Sequence, residues 1–161
     1  MAVRDLVYVK DDSEFLHTAS DPVDPEVVSS DEIQTLIDDM FDTKKSANGV
    51  GISAVQIGVH KNIIIVELPE GSQAFINPEI TKFSDDKVIV EEGCLSIPDV
   101  FGKVERSRSV VVKALTRKGD EIELKAQGMP AVIFQHEIDH TNGILFTDPQ
   151  RLITYTSGQN K

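Results

Sequence analysis

Residues 135–140 read Gln135-His136-Glu137-Ile138-Asp139-His140, which sets two imidazoles four positions apart with a carboxylate between them. On a helix, positions i and i+4 lie one above the other, so both rings can point at one metal ion while Glu137 stands beside it. Working outward, Gly128 and Pro130 are suited to open such a helix, Met129, Val132, Ile133 and Phe134 make its first half apolar, and Gly143 can close it. A helix that begins so apolar is expected to be buried. Two histidines and a glutamate at its buried end are costly without a partner, and one metal ion serves all three. The same string arises by chance on ordinary surface helices, and the apolar context separates this instance from those.

A catalytic ion of this type usually takes three protein ligands and keeps a fourth position for water. In the common metalloprotease patterns the third ligand is a histidine six residues after the second, or a glutamate further on. Here Phe146 fills the first position, no glutamate follows Glu137, and Asp148 is the only acid after His140. Upstream, His17, His60, Cys94 and many acids are available. His17 in its polar stretch and His60 before Lys61 read as surface residues. Cys94 lies in Glu91-Glu92-Gly93-Cys94-Leu95-Ser96-Ile97-Pro98, just after an expected strand. The glycine before it permits close approach, and its thiolate suits zinc or ferrous iron. One cysteine and two histidines would leave a tetrahedral position for water.

Another landmark is Gly49-Val50-Gly51-Ile52-Ser53-Ala54-Val55-Gln56. As a dinucleotide fingerprint it fails, because the third glycine would fall at Ala54 and no strand precedes it. As a turn after a helix it would be ordinary, although the Gln56 amide could polarise a carbonyl if it faced the metal.

The helix before that landmark is expected over Ser29 to Lys45, with Ser29 and Glu32 spaced as a capping box. Ile33, Leu36, Ile37, Met40 and Phe41 form one apolar stripe, and Lys44 and Lys45 suit the negative end of the helix dipole. Strand patterns follow at Asn62 to Leu68, Gln73 to Asn77 and Lys87 to Glu91. A hairpin is expected from Arg108 to Leu115 and Glu121 to Ala126, turning at Arg117-Lys118-Gly119-Asp120. The tail from Asp148 to Lys161 is polar after Ile153 and is expected to fray. This order predicts an α+β fold in a single domain over residues 1–161. Short antiparallel or mixed β-sheets would pack around the C-terminal metal-binding helix, with one N-terminal amphipathic helix. No repeat, low-complexity tract or linker interrupts it.

The 161 residues are 40% hydrophobic and 27% charged, close to the average of globular proteins. The formal net charge of -11 leaves no basic stripe for a phosphate backbone, so no direct nucleic-acid binding is expected. A single cysteine excludes an intramolecular disulfide. The longest aliphatic run, Ile63-Ile64-Ile65-Val66, is too short to cross a bilayer, and Met1 to Asp5 lacks the apolar core of a signal peptide. A cytoplasmic protein without membrane contact is expected.

Together the three motifs resemble the peptide deformylase family. Gly49 to Gln56 matches its Gly-apolar-Gly-apolar-Ala-Ala-x-Gln, with Ser53 in place of the first alanine. Glu92 to Ser96 carries Glu-Gly-Cys-Leu-Ser intact, and His136 to His140 carries His-Glu-x-Asp-His. The resemblance runs from about Lys10 to Asp148, with Phe15-Leu16 and Pro22-Val23 near pairs usual at the start of the family. It implies a hydrolase of protein biosynthesis that removes the N-formyl group from the N-terminal methionine of nascent polypeptides, releasing formate by attack of metal-activated water.

Residue by residue, the resemblance implies Cys94, His136 and His140 as metal ligands. One divalent ion is expected, Fe2+ in the cell, with Zn2+ or Ni2+ able to substitute. Glu137 would be the general base, and Gln56 with the Leu95 backbone N–H would stabilise the oxyanion. The N-formylmethionyl peptide would lie as an added strand against the backbone of Val50, Gly51, Ile52 and Gly93. Its methionine side chain would enter a pocket of Val50, Val90, Met129, Val132 and Ile133. Asp139 would hold the helix or its histidines, and Arg106 would pair with Glu92 or another acid. Phe101 stands where many members carry a basic residue. Arg151 and Lys161 alone are positive after the metal helix, which speaks against ribosome docking through a basic C-terminal helix; transient nascent-chain contact is still expected. The rivals are a catalytically silent metal-binding adaptor of the same fold, against which Glu137 and Gln56 speak, and a metalloprotease, which lacks its third ligand.

Overall fold

Every residue of the run Ile63-Ile64-Ile65-Val66 is 0% exposed. In the computed structural model, which describes residues 2–158, the run lies in strand β2 (Ile63–Leu68). β2 belongs to a five-stranded antiparallel sheet ordered β1 (Gly51–Ser53), β2, β3 (Gly71–Phe83), β6 (Ser109–Leu115), β7 (Glu121–Gln127). Strand alternation divides the run between two cores. Ile63 and Ile65 pack with Ile33, Leu36, Ile37 and Met40 of helix α2 (Asp31–Ser46). Ile64 and Val66 pack with Ala131, Ile133, Phe134 and Ile138 of helix α3 (Met129–Thr141). A helix on each face is why this strand has no polar side, and each fully buried isoleucine contributes about 1.5–3 kcal/mol relative to exposure.

A second sheet is ordered β4 (Lys87–Cys94), β5 (Ile97–Ser107), β8 (Leu152–Ser157). A third core of Leu16, Val55, Ile97, Val100, Val104, Leu145 and Phe146 lies beneath it, with partly buried residues of a short helix, α1 (Val9–Leu16), packed against it. The arrangement is the α+β architecture expected, with α3 central to it. Strands β1 and β4 are sheet edges; β1 begins at Gly51 against Ile133 and Glu137 of α3, and β4 ends at Cys94 beside His140.

Several boundaries differ from the sequence expectation for physical reasons. The α2 cap is Ser30, whose Oγ accepts from Ile33 N at 3.3 Å, because a tight turn (Pro25–Val27) carries the chain past Ser29, with Ser30 N donating to Val27 O. β3 continues beyond Asn77 through Pro78, where the register to β6 shifts. A bulge of this kind tolerates a residue without an N–H, and Asn77 takes φ 52° there while its side chain bonds Val23 N and Val23 O. Helix α1, bent at Asp12, gave no apolar stripe to read.

The tail does not fray where expected: Leu152 to Ser157 pair with β5 as its second neighbour. Leu152 reaches so close to Gly102 that a Cβ there would stand 2.6 Å from its Cδ1. Pairing to β5 supplies backbone partners that the polar composition concealed. The rest of that expectation, residues 159–161, lies outside the described residues.

Candidate metal centre

Cys94 ends β4, where a two-residue turn, Leu95-Ser96, leads into β5, and His136 and His140 occupy the last two turns of α3. One ligand atom from each of the three lies within 4.8 Å of the others, and Cys94 Sγ is 3.4 Å from His140 Nε2. The imidazoles meet edge to face with centroids 5.0 Å apart, the geometry that i and i+4 positions allow. His136 Nδ1 donates to Glu92 Oε1 at 2.7 Å, which leaves Nε2 as the nitrogen free to ligate. His140 Nδ1 is buried without a hydrogen-bond partner among the described residues. A thiolate and two imidazoles converging at this spacing fit a divalent ion of borderline softness.

Glu92 is held in turn. Arg106 donates through Nε and Nη2 to both Glu92 oxygens at 2.7 and 2.9 Å, and through Nη1 to Asp139 Oδ2 at 2.7 Å. Burial pushes the Glu92 carboxyl up, but the bonds from Arg106 and His136 outweigh it and hold the pKa at about 2. Arg106, expected to pair with Glu92 or another acid, pairs with both Glu92 and Asp139, and the carboxylate of Asp139 holds Arg106 instead of a histidine. Arg151, a residue with no role anticipated beyond its charge, donates to both Asp139 oxygens.

Glu137 is 4% exposed, and its Oε1 has no partner among the described residues. Burial raises its carboxyl to about 7. Gly51 of β1 passes directly over it: a Cβ at Gly51 would lie 2.7 Å from Glu137 Oε2 and 2.9 Å from Ile133 Cγ2. The second glycine of the first motif is therefore required by close approach. Gln56 is buried with its amide orientation fixed, since Oε1 accepts from Ser53 N at 3.0 Å while Nε2 faces Cys94 Sγ at 3.5 Å and Ser96 Oγ at 3.2 Å. Ser96 was missed by sequence reasoning, although it belongs to the second motif.

A cavity of about 520 Å3 opens beside the three ligands, lined by Val50, Gly51, Gln56, Val90, Gly93, Leu95, Met129, Val132, Ile133 and Glu137 among others. Val50 and Met129 are 50% and 63% exposed at its mouth, whereas Val132 and Ile133 lie deeper. Ile52 does not line it: its side chain is fully buried in the core on the α2 side, leaving only its backbone facing outward along β1. Phe101 joins the rim, its ring against the Gly93 backbone. His17 and His60 stand apart, bonded to Asp148 Oδ1 and Phe15 O. Phe146 is buried, stacked beside His136 with centroids 6.2 Å apart, so the position of a protease's third ligand is core.

Fold and site together define a metal-dependent hydrolase of the α+β class, with a Cys-His-His centre at the meeting of two sheet edges and one helix. Residues 3–154 match the family model described as polypeptide deformylase. The chain is 44% identical to the peptide deformylase of Acetivibrio thermocellus, spanning 92% of this chain and 84% of that one. It is 42% identical to peptide deformylase 1 of Pseudomonas syringae pv. tomato, spanning 92% and 87%. The Met-Ala-Ser-bound crystal structure of a class I type b peptide deformylase from Acinetobacter baumannii superposes with a TM-score of 0.85 at 40% identity, covering 91% of this chain and 98% of that one. The chain belongs to the polypeptide deformylase family, metal-dependent enzymes that remove an N-formyl group.

Proposed function

We propose that this chain deformylates N-formylmethionyl peptides as nascent chains emerge in the cytoplasm, with Cys94, His136 and His140 holding Fe2+ and Glu137 as general base. The convergence of Cys94, His136 and His140 beside a buried Glu137 oxygen without a partner carries the reading. Cys94, His136 and His140 would hold the ion, which would supply Lewis acidity and lower the pKa of water toward neutral. Glu137 takes the proton of the attacking water and delivers it to the leaving amine, a role that suits a buried carboxylate beside the cavity with one oxygen unpartnered among the described residues. The Gln56 amide N–H and the Leu95 backbone N–H stabilise negative charge on the formyl oxygen. The fixed Gln56 orientation supports this, because a preorganised donor costs no reorientation when charge develops.

The peptide backbone adds to the open edges at Val50, Gly51, Ile52 and Gly93, and the methionine side chain fills the apolar hollow of Val50, Val90, Met129, Val132 and Ile133. Support comes from the edge positions of β1 and β4 and from the lining of the cavity between them. Among the described residues no helix is long and apolar enough to cross a membrane.

Anaerobic loading with Fe2+, Zn2+ or Ni2+, followed by metal analysis and a formate assay, tests the assignment. Cys94→Ala and His136→Ala are expected to lose both metal and activity. Glu137→Gln is expected to keep stoichiometric metal while turnover falls by about a hundredfold or more. A Glu137→Gln protein with wild-type turnover would refute the general-base role, and a Cys94→Ala protein with undiminished metal would refute the ligand set.

A further inference from the structure

We infer that Arg151 is a positioning residue for the metal centre, acting through Asp139, Arg106 and Glu92 on the ring of His136. The inference rests on the ligand assignment above. Arg151 Nε and Nη2 donate to Asp139 Oδ2 and Oδ1 at 2.9 and 3.1 Å. Asp139 Oδ2 also accepts from Arg106 Nη1, whose other two nitrogens grip both oxygens of Glu92, and Glu92 Oε1 receives His136 Nδ1. Five side chains thus form one unbroken series of charge-assisted bonds from the residue before β8 to the proposed ligand His136.

Topology brings the arginines together. Leu152 pairs with Val104, so the residue before β8 lies level with the stretch of β5 that carries Arg106, and both side chains reach across to α3. Arg151 is held in place by its own N–H to Asp148 O at 2.9 Å. The Asp148 carboxylate is in turn fixed by Leu145 N and His17 Nε2. The fork of Arg151 occupies both Asp139 oxygens and so fixes the plane of that carboxylate. The planar guanidinium of Arg106 joins Asp139 to Glu92, and a bidentate Glu92 fixes the imidazole. Removing Arg151 leaves Asp139 with one anchored oxygen beside a cavity of about 630 Å3 that Arg106, Asp139 and Arg151 line on the face of α3 away from the peptide pocket. Asp139 can then rotate, and the freedom passes along rigid forks to His136.

Cobalt(II) loaded anaerobically into the otherwise intact chain is the probe, read by its thiolate and ligand-field absorption bands and by its release to a chelator. Arg151→Met is expected to release cobalt about tenfold faster, with altered bands, as loss of groups that orient ligands generally does. Arg151→Lys, with one cation but no fork, should fall between. Leu152→Ala loosens β8 without touching the series, and should keep wild-type release even at a lower Tm. Wild-type release and bands in both Arg151 variants would overturn the inference, as would a Leu152→Ala protein that reproduced the Arg151→Met effect. A wild-type chain showing no thiolate-cobalt band would overturn the ligand assignment itself, and the inference with it.

Discussion

At the scale of single residues, the site depends on atoms that must be absent as much as on those present. Gly51 lets β1 run within van der Waals reach of Glu137, and a methyl group there would enter space held by the carboxylate and by Ile133. Gly51→Ala is therefore expected to cut turnover by at least about tenfold through displacement of Glu137, with metal content and far-UV circular dichroism unchanged. Wild-type turnover in that variant would show that the close approach is unimportant. Such contacts are partly legible in sequence. The i, i+4 spacing of His136 and His140 pointed to a metal, and the resemblance of the second motif singled out Cys94 among the upstream candidates as their expected partner. Arg151 did not, because an arginine in a polar tail reads as solvated until the strand after it is seen to pair.

At the scale of elements, legibility followed the strength of periodicity. The α2 stripe and the Arg117 to Asp120 hairpin carry clear 3.6 and 2.0 periods, and both stand within a residue or two of expectation. α1, β5 and β8 do not: their residues face two environments or contain Pro98 and Gly102, and pairing across the chain decides their conformation. α1 is tied to the segment after α3 by His17 Nε2 and Asp148 Oδ1, 2.8 Å apart. The hydrogen bond to Asp148 raises the His17 pKa, with partial burial opposing it. A raised folded-state pKa means the pair stabilises fully below the unfolded value, roughly pH 6.5, and the contribution disappears as pH rises through the folded value. His17 is substantially exposed, so the contribution is below about 1 kcal/mol. The Tm gap between wild type and His17→Ala should accordingly be widest near roughly pH 6 and shrink above it. A gap constant with pH would show that the ion pair contributes nothing to stability.

At the scale of the whole molecule, β2 gives alternate residues to the first two cores, Ala54 and Val55 stand in the first and third, and α3 packs on the second, which we take to make residues 1–161 one catalytic unit. Urea unfolding should then give a single transition, coincident by circular dichroism and tyrosine fluorescence, whereas two separated transitions would divide the chain into independent parts. The same convergence explains why a site at the end of one helix needs residues from three distant segments, and why a short pattern such as residues 136–140 suggests metal chemistry without saying which bond is cut. On the function proposed above, Cys94 and Gln56 carry that specification. The most direct measurement is formate release from formyl-Met-Ala-Ser by the anaerobically iron-loaded chain. Stoichiometric formate with the Met-Ala bond intact is the predicted result; no formate from fully metal-loaded protein, or cleavage within the peptide instead, would contradict it.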